Sequence, residues 1–121
     1  MTASELQAAV RDRDGIAVID LTGDVNASAE EALNDAYAQA TASRPGSIAL
    51  NFERADYINS TGIALIVGLL AQARRQGIEV KAFGLSDHYR EIFEITRLAD
   101  FMTITHDEER AVGGAIGRND A

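Results

Sequence analysis

The residues with the widest chemical scope form one run, Ala55-Asp56-Tyr57-Ile58-Asn59-Ser60-Thr61-Gly62-Ile63. Asn, Ser and Thr are ordinary helix N-caps, because their side-chain oxygens accept from unpaired backbone N–H groups. An exposed serine at such a place can also accept a phosphate, or act as a nucleophile if a base lies within reach. The helix expected to follow favours contact with a partner. A helical wheel puts Ile63, Ile66, Val67 and Leu70 on a core stripe, while the opposite face reads Thr61, Leu65 and Gly68 before it reaches Gln72 and Arg75;. Ala64 and Leu69 flank that face. Either another element covers that face, or it is an exposed apolar patch beside hydroxyls, the mark of a docking surface. Gly62 and Gly68 weaken the helix, and leave room for another backbone to come close.

Other chemistry finds little support. His88 and His106 are isolated and read as surface histidines near helix starts, not as metal ligands;. Glu30-Glu31 and Glu108-Glu109 occupy first helical turns, where the helix dipole favours negative charge;. No glycine-rich phosphate loop follows a strand, and Gly113-Gly114-x-x-Gly117 lies in the tail;. Ser60 is outside any Gly-x-Ser-x-Gly elbow, so a serine-dependent hydrolase needs a base that the sequence does not supply;. The chain has no cysteine, which excludes disulfides and thiol chemistry;. No catalytic set, cofactor or metal is expected.

Eleven basic against nineteen acidic side chains give a formal charge of −8, which disfavours nucleic acid and anionic membranes as partners;. The first residues lack a signal-peptide layout;. The longest apolar run, Ile63 to Ala71, is far short of the ~20 residues needed to cross a bilayer;. These features predict a cytoplasmic protein without membrane insertion, one domain over 1–121 with its core at about 5–116 and a frayed C-terminal tail.

The elements that must position Ser60 are read as follows. Leu6–Val10 is a weak first strand, Asp12-Arg13-Asp14-Gly15 a hairpin turn, and Ile16–Thr22 a second strand ended by Gly23;. Ala17, Ile19 and Leu21 share one face of that strand, and Ile16, Val18 and Asp20 the other. A helix spans Ser28 to Ala42, with a Ser28/Glu31 capping box and a stripe of Ala29, Leu33, Ala36, Tyr37 and Ala40;. Ser47–Phe52 is a buried strand and Glu53–Asn59 a polar loop;. The second helix runs from Ser60 to Gln76, followed by a strand at Ile78–Phe83. Ser86 caps a third helix carrying Tyr89, Ile92, Phe93 and Thr96, then come a strand at Met102–Ile104 and a helix at Asp107–Ile116. The order β-β-α-β-α-β-α-β-α predicts an α/β domain with a mixed, mostly parallel sheet of about five strands and about four helices.

Three segments in this order resemble the STAS domain family, whose bacterial members include the anti-sigma factor antagonists. Asn59-Ser60-Thr61-Gly62 is similar to the family's Asp-Ser-Ser/Thr-Gly motif, and Leu21-Thr22-Gly23-Asp24-Val25-Asn26 to its Leu-x-Gly-Glu-Leu-Asp. Phe93–Phe101 resembles the segment joining the third helix to the last strand. The resemblance implies a partner switch with Ser60 as phosphoacceptor and Asp24, Asn26, Asn59, Thr61, Gly62, Leu65 and Gly68 as the partner-binding set. It further implies an anti-sigma factor that is also a serine kinase, and a phosphatase, as partners. Asn59 and Asn26 stand where the family has Asp, and Arg97 where it often has glycine. The loss of both carboxylates opens an alternative, a non-phosphorylated STAS subunit of a stress-sensing assembly or a lipid-transport ATPase. Homodimerisation through the apolar helix face is a further reading.

Overall fold

An Asp-Gly pair starts the fold. Asp14 and Gly15 have φ of 55° and 85°, the positive values that a tight hairpin needs, and they join β1 (Gln7–Arg13) to β2 (Ile16–Val25);. The structure, a computed structural model, describes residues 5–112. β3 (Ser47–Ile58), β4 (Glu79–Phe83) and β5 (Thr103–Thr105) complete a sheet of order β1-β2-β3-β4-β5. Only the β1–β2 pair is antiparallel. The parallel strands follow one another in sequence, so right-handed crossovers all step the same way and place α1 (Glu30–Ala42), α2 (Ser60–Arg75) and α3 (Asp87–Ile95) on one face;. The fold class expected from the sequence is the one observed.

The main core lies under those helices. Ala17, Ile19 and Leu21 of β2 and Ile48 and Leu50 of β3 share the core with the expected stripe, Ala29 just ahead of α1 and Leu33, Ala36, Tyr37 and Ala40 within it. The other face of the sheet carries a smaller cluster of Val18, Ala49 and Phe83 under Ala111. Ala111 belongs to a helix, α4, that begins at residue 108 and is described to residue 112. Asp107 caps it, accepting from the Arg110 N–H at 2.9 Å. The remainder of the helix expected at Asp107–Ile116, the frayed tail and the Gly113-Gly114 pair lie outside the described residues.

Four local expectations are corrected. Gly23 does not end β2: the strand continues to Val25, with register shifts between Asp20 and Thr22 and between Gly23 and Asp24. Gly23 has φ of 108°, backbone that an L side chain rarely adopts, and it lets β2 bend and keep pairing;. Glu53–Asn59 is likewise no loop, because Asp24 and Val25 pair with Tyr57 and Ile58 and draw β3 out to Ile58. The α1 capping box does not form; Asn26 caps a 3-10 turn at Ala27–Ala29 instead, accepting from Ser28 N–H at 3.0 Å and Ser28 Oγ at 2.7 Å. Thr96 lies just past the end of α3, where its hydroxyl donates to the Ile92 carbonyl at 2.7 Å.

After α3 the chain reverses through Arg97, at φ 68° and ψ 15°. A non-glycine residue in this left-handed region costs roughly 1–2 kcal/mol, so the turn forms at Arg97 despite the side chain. Arg97 Nε donates to Asp100 Oδ2 at 2.7 Å.

A cluster of ion pairs holds α4 to the hairpin. Arg11 donates to Asp20 at 2.7 Å and to Glu108 at 2.6 Å, and Arg13 reaches Glu108 at 2.5 Å and Glu109 at 2.7 Å. The Arg11 hydrogen bond holds the Glu108 carboxyl down at about 2. Burial pushes Asp20 upward, but hydrogen bonds from Arg11 and Asn51 outweigh it and leave the group below its ordinary value. Buried Lys81 of β4 donates separately to the Ala111 carbonyl of α4 at 2.9 Å.

A depressed carboxyl contributes stability above its unfolded pKa and loses it as pH falls through the folded one. Glu108 therefore supports the fold fully above about 4.5 and loses that support between about 4.5 and about 2;. Melting curves of the wild type and Glu108→Gln should differ most near neutral pH and converge across that window. A gap that stays constant down to pH 2 would show that Glu108 carries no folding-linked charge.

Candidate functional site

The site is built where the C-terminal ends of β2 and β3 lie side by side, the edge at which parallel α/β sheets present their ligand sites;. Asn59 follows β3 with extended backbone and caps α2: its Oδ1 accepts from Gly62 N–H at 2.8 Å, and its carbonyl accepts from Ile63 N–H at 2.9 Å. Asn59 N–H donates to the Val25 carbonyl at 3.2 Å. The same carbonyl lies against Gly62, where a Cβ would sit 1.9 Å from the oxygen. Gly62 thus leaves room for a close backbone approach, made by this chain's own β2.

This anchoring fixes which residues face out. Gly62, Ile66, Leu69, Leu70 and Ala73 are the buried residues of α2. Ser60 and Thr61 are exposed at its first turn, followed outward by Ala64, Val67, Gly68 and Ala71. Val67 and Leu69 exchange the places the wheel gave them: Val67 is 45% exposed and Leu69 is buried. Ile63 is only half-buried. The helix is rotated because Gly62, with no side chain, packs innermost. Leu65 is half-buried and packs on the core edge, while a Cβ on Gly68 would meet nothing within 4 Å.

The structure brings most of the sequence-derived set together. Asp24 lies at the end of β2 and Asn26 just past it, while Asn59 caps α2 and Ser60, Thr61 and Gly62 begin it against that strand. Leu65 and Gly68 continue along the helix, Gly68 about 12 Å from Ser60 along the axis at the usual rise. Neither asparagine needs a charge for its observed work, since both cap through the amide oxygen;. His88 lies on the first turn of α3 and His106 ahead of α4, both exposed. Among the described residues there is no group of His, Cys, Asp and Glu arranged to hold a metal ion. No helix among them is long and apolar enough to cross a membrane.

Two tyrosines were not in that set. Tyr57 projects beside Asp24 at 54% exposure, a large aromatic at the lip of the site. Its place on a strand is not legible in Glu53–Asn59, which shows no strand alternation. Tyr89 reads from its spacing as a core-stripe residue, yet its hydroxyl accepts from Ile58 N–H at 3.0 Å and ties α3 to the last residue of β3. A phenol on an apolar stripe needs a polar partner, and that need was the available signal.

A five-stranded mixed sheet, with α1, α2 and α3 on one face and α4 on the other, carries an exposed serine on the first turn of α2. The STAS domain description matches residues 7–111, and the chain belongs to that family. An anti-sigma-B factor antagonist of Staphylococcus aureus (strain NCTC 8325 / PS 47) is 37% identical over 62 residues, covering 51% of this chain and 57% of the relative. The match therefore spans little more than half the relative's length. Among solved structures, the phosphorylated form of the Bacillus cell fate determinant SpoIIAA superposes with a TM-score of 0.67 at 22% identity, covering 91% of this chain and 98% of the other. A serine-to-glutamate variant of RsbS from Moorella thermoacetica gives a TM-score of 0.78 at 8% identity, covering 94% and 98%. At such identities the two structures establish the shared fold.

The contrast between the two glycines of α2 gives a direct test. Gly62→Ala should cost about 3 kcal/mol through overpacking against Val25, whereas Gly68→Ala, in open space, should gain up to about 1 kcal/mol from helix propensity. Denaturant titration reads both. A well-tolerated Gly62→Ala would mean that α2 is not seated on Val25.

Proposed function

We propose that this chain is an anti-sigma factor antagonist: it docks an anti-sigma factor with serine-kinase activity through the outer face of α2, and phosphorylation of Ser60 releases it. The observation that carries the reading is the exposure of Ser60 and Thr61 at the head of an outward-facing apolar stripe, Ala64, Val67 and Gly68. The name of the Staphylococcus relative supports the partner class. The solved phosphorylated form of SpoIIAA supports the chemistry. Asp24, Asn26, Asn59, Gly62 and Leu65 shape and flank the docking face, a phosphatase reverses the modification, and the exchange takes place in the cytoplasm. The protein acts by binding; the chemistry is done by the kinase and phosphatase.

The physics of release needs no change of fold. A phosphoserine carries about −1.5 to −2 charges at neutral pH. The unpaired N–H groups of the first helical turn tolerate that charge, so the domain survives the modification. At a close-packed interface the same group is bulky and strongly hydrated. A penalty of about 3 kcal/mol there lowers affinity roughly a hundredfold.

One observation favours a second reading. The residues flanking the phosphoacceptor are amides employed as helix caps, so no carboxylate at positions 26 or 59 is present to assist transfer. A STAS subunit that docks constitutively in a larger assembly fits that pattern.

Incubation with the kinase partner and ATP should add one phosphate to the wild type and none to Ser60→Ala, read by intact mass. Ala64→Arg, at an exposed position, should abolish partner capture while the melting temperature stays near that of the wild type. Capture without any gain in mass would reject the cycle in favour of the constitutive subunit. Undiminished capture by Ala64→Arg would reject the docking face itself.

A further inference from the structure

Farther along α2 the outer face opens into a groove that shares Val67 with the Ser60 stripe. Between that helix and the turn after α3, Val67, Ala71, Leu98 and Phe101 line an apolar groove of about 250 Å³. That is below the roughly 300–1,000 Å³ of small-molecule pockets and suits a few inserted side chains. Val67 and Phe101 keep much of their surface in water although both are large and apolar.

Two arginines edge the groove. The Arg74 guanidinium lies 5.5 Å from the centroid of the Phe101 ring, a cation–π contact that holds it at the rim;. Arg74 takes part in none of the ion pairs among the described residues. Arg97 also lines the groove, in the left-handed conformation noted above. Strain of that kind persists where the surroundings hold it, and it concentrates at functional positions. Its partner Asp100 is half exposed, and an exposed pair of this sort exchanges readily for another carboxylate;. The carboxylates nearby are Asp100 and Glu79, in the neighbouring depression that Arg74 also lines. The chain as a whole carries −8, so an acidic partner is repelled over most of the surface and admitted between these two cations;.

We propose that this groove docks an amphipathic helix of a partner protein, one whose apolar stripe is flanked by carboxylates. Apolar side chains at i and i+4 enter beside Val67 and Phe101, and the carboxylates meet Arg74 and Arg97. The groove borders the Ser60 face, but its recognition chemistry is independent of phosphorylation.

The test uses a fluorescein-labelled helical peptide with leucines at i and i+4 flanked by glutamates, and a lysine-flanked control, titrated by anisotropy. The wild type should bind the acidic peptide saturably, at least tenfold more tightly than the control, and less tightly as salt is raised. Phe101→Ala and Arg74→Glu should each lower the affinity tenfold or more while the melting temperature stays near the wild-type value. The double variant Arg74→Glu/Arg97→Glu should prefer the lysine peptide. Arg97→Gly should weaken binding while leaving the melting temperature unchanged or higher, a split that a merely structural arginine would not produce. Equal affinity for both peptides, or no saturation at millimolar peptide, would overturn the proposal. So would sedimentation showing a dimer of this chain that Phe101→Ala dissociates. None of these measurements involves a kinase, so a failure of Ser60 phosphorylation leaves their outcome unaffected.

Discussion

The first turn of α2 rests on a single backbone oxygen, the carbonyl of Val25, and the geometry of this end of the molecule follows from that contact. Asn59 donates to it, and Gly62 meets it with no side chain in the way. Each helical residue turns about 100° from the last. Once Gly62 points inward, Ile66 and Leu69 must follow it into the core, and Ser60, Thr61, Ala64, Val67 and Gly68 must face water. The exposure of the serine is therefore a packing consequence of a glycine two residues away. Any larger residue at 62 would lift the helix from the sheet and change what every turn displays.

The contact exists because β2 and β3 keep pairing beyond the point where their patterns lapse. The register shifts after Asp20 and Gly23 carry Val25 alongside Ile58, so that the loops leaving both strands begin at the same level. Asn26 and Asn59, the next residue in each case, turn an amide oxygen onto the start of a helical segment. Tyr89 adds a third support by accepting from the Ile58 N–H. The serine thus stands on a framework held by backbone pairing, two caps and a half-buried phenol, none of which needs it.

The two faces of the sheet are stabilised differently. Under the helices the core is aliphatic and aromatic, with Phe52 and Phe93 meeting edge to face at 5.7 Å between centroids. On the other face a thin apolar patch is closed by α4 and fastened by Arg11, Arg13, Glu108 and Glu109. Exposed ion pairs contribute little individually. Here they join residues nearly a whole chain length apart, and Arg11 spans two carboxylates at once.

Much of this was legible in the sequence. The order of elements, the two faces of β2 and the full buried stripe of α1 follow from apolar spacing, because periods of 2.0 and 3.6 are local properties. The place of the hydroxyl cluster at a helix start was equally legible, since capping chemistry is local too. The sequence could not reveal the extent of β2 and β3, which depends on a neighbouring strand supplying partners across a bulge. It could not give the rotation of α2 by about one residue, because a wheel counts glycine as neutral whereas tertiary packing sends the smallest residue deepest. Nor could it show that Arg97 would hold a left-handed turn, a local cost accepted because the chain must reverse between α3 and β5. Residue type and spacing determined which elements form and where the serine lies along the chain. Only the assembled sheet decided which way that serine faces, because facing depends on contacts between segments that the sequence keeps far apart.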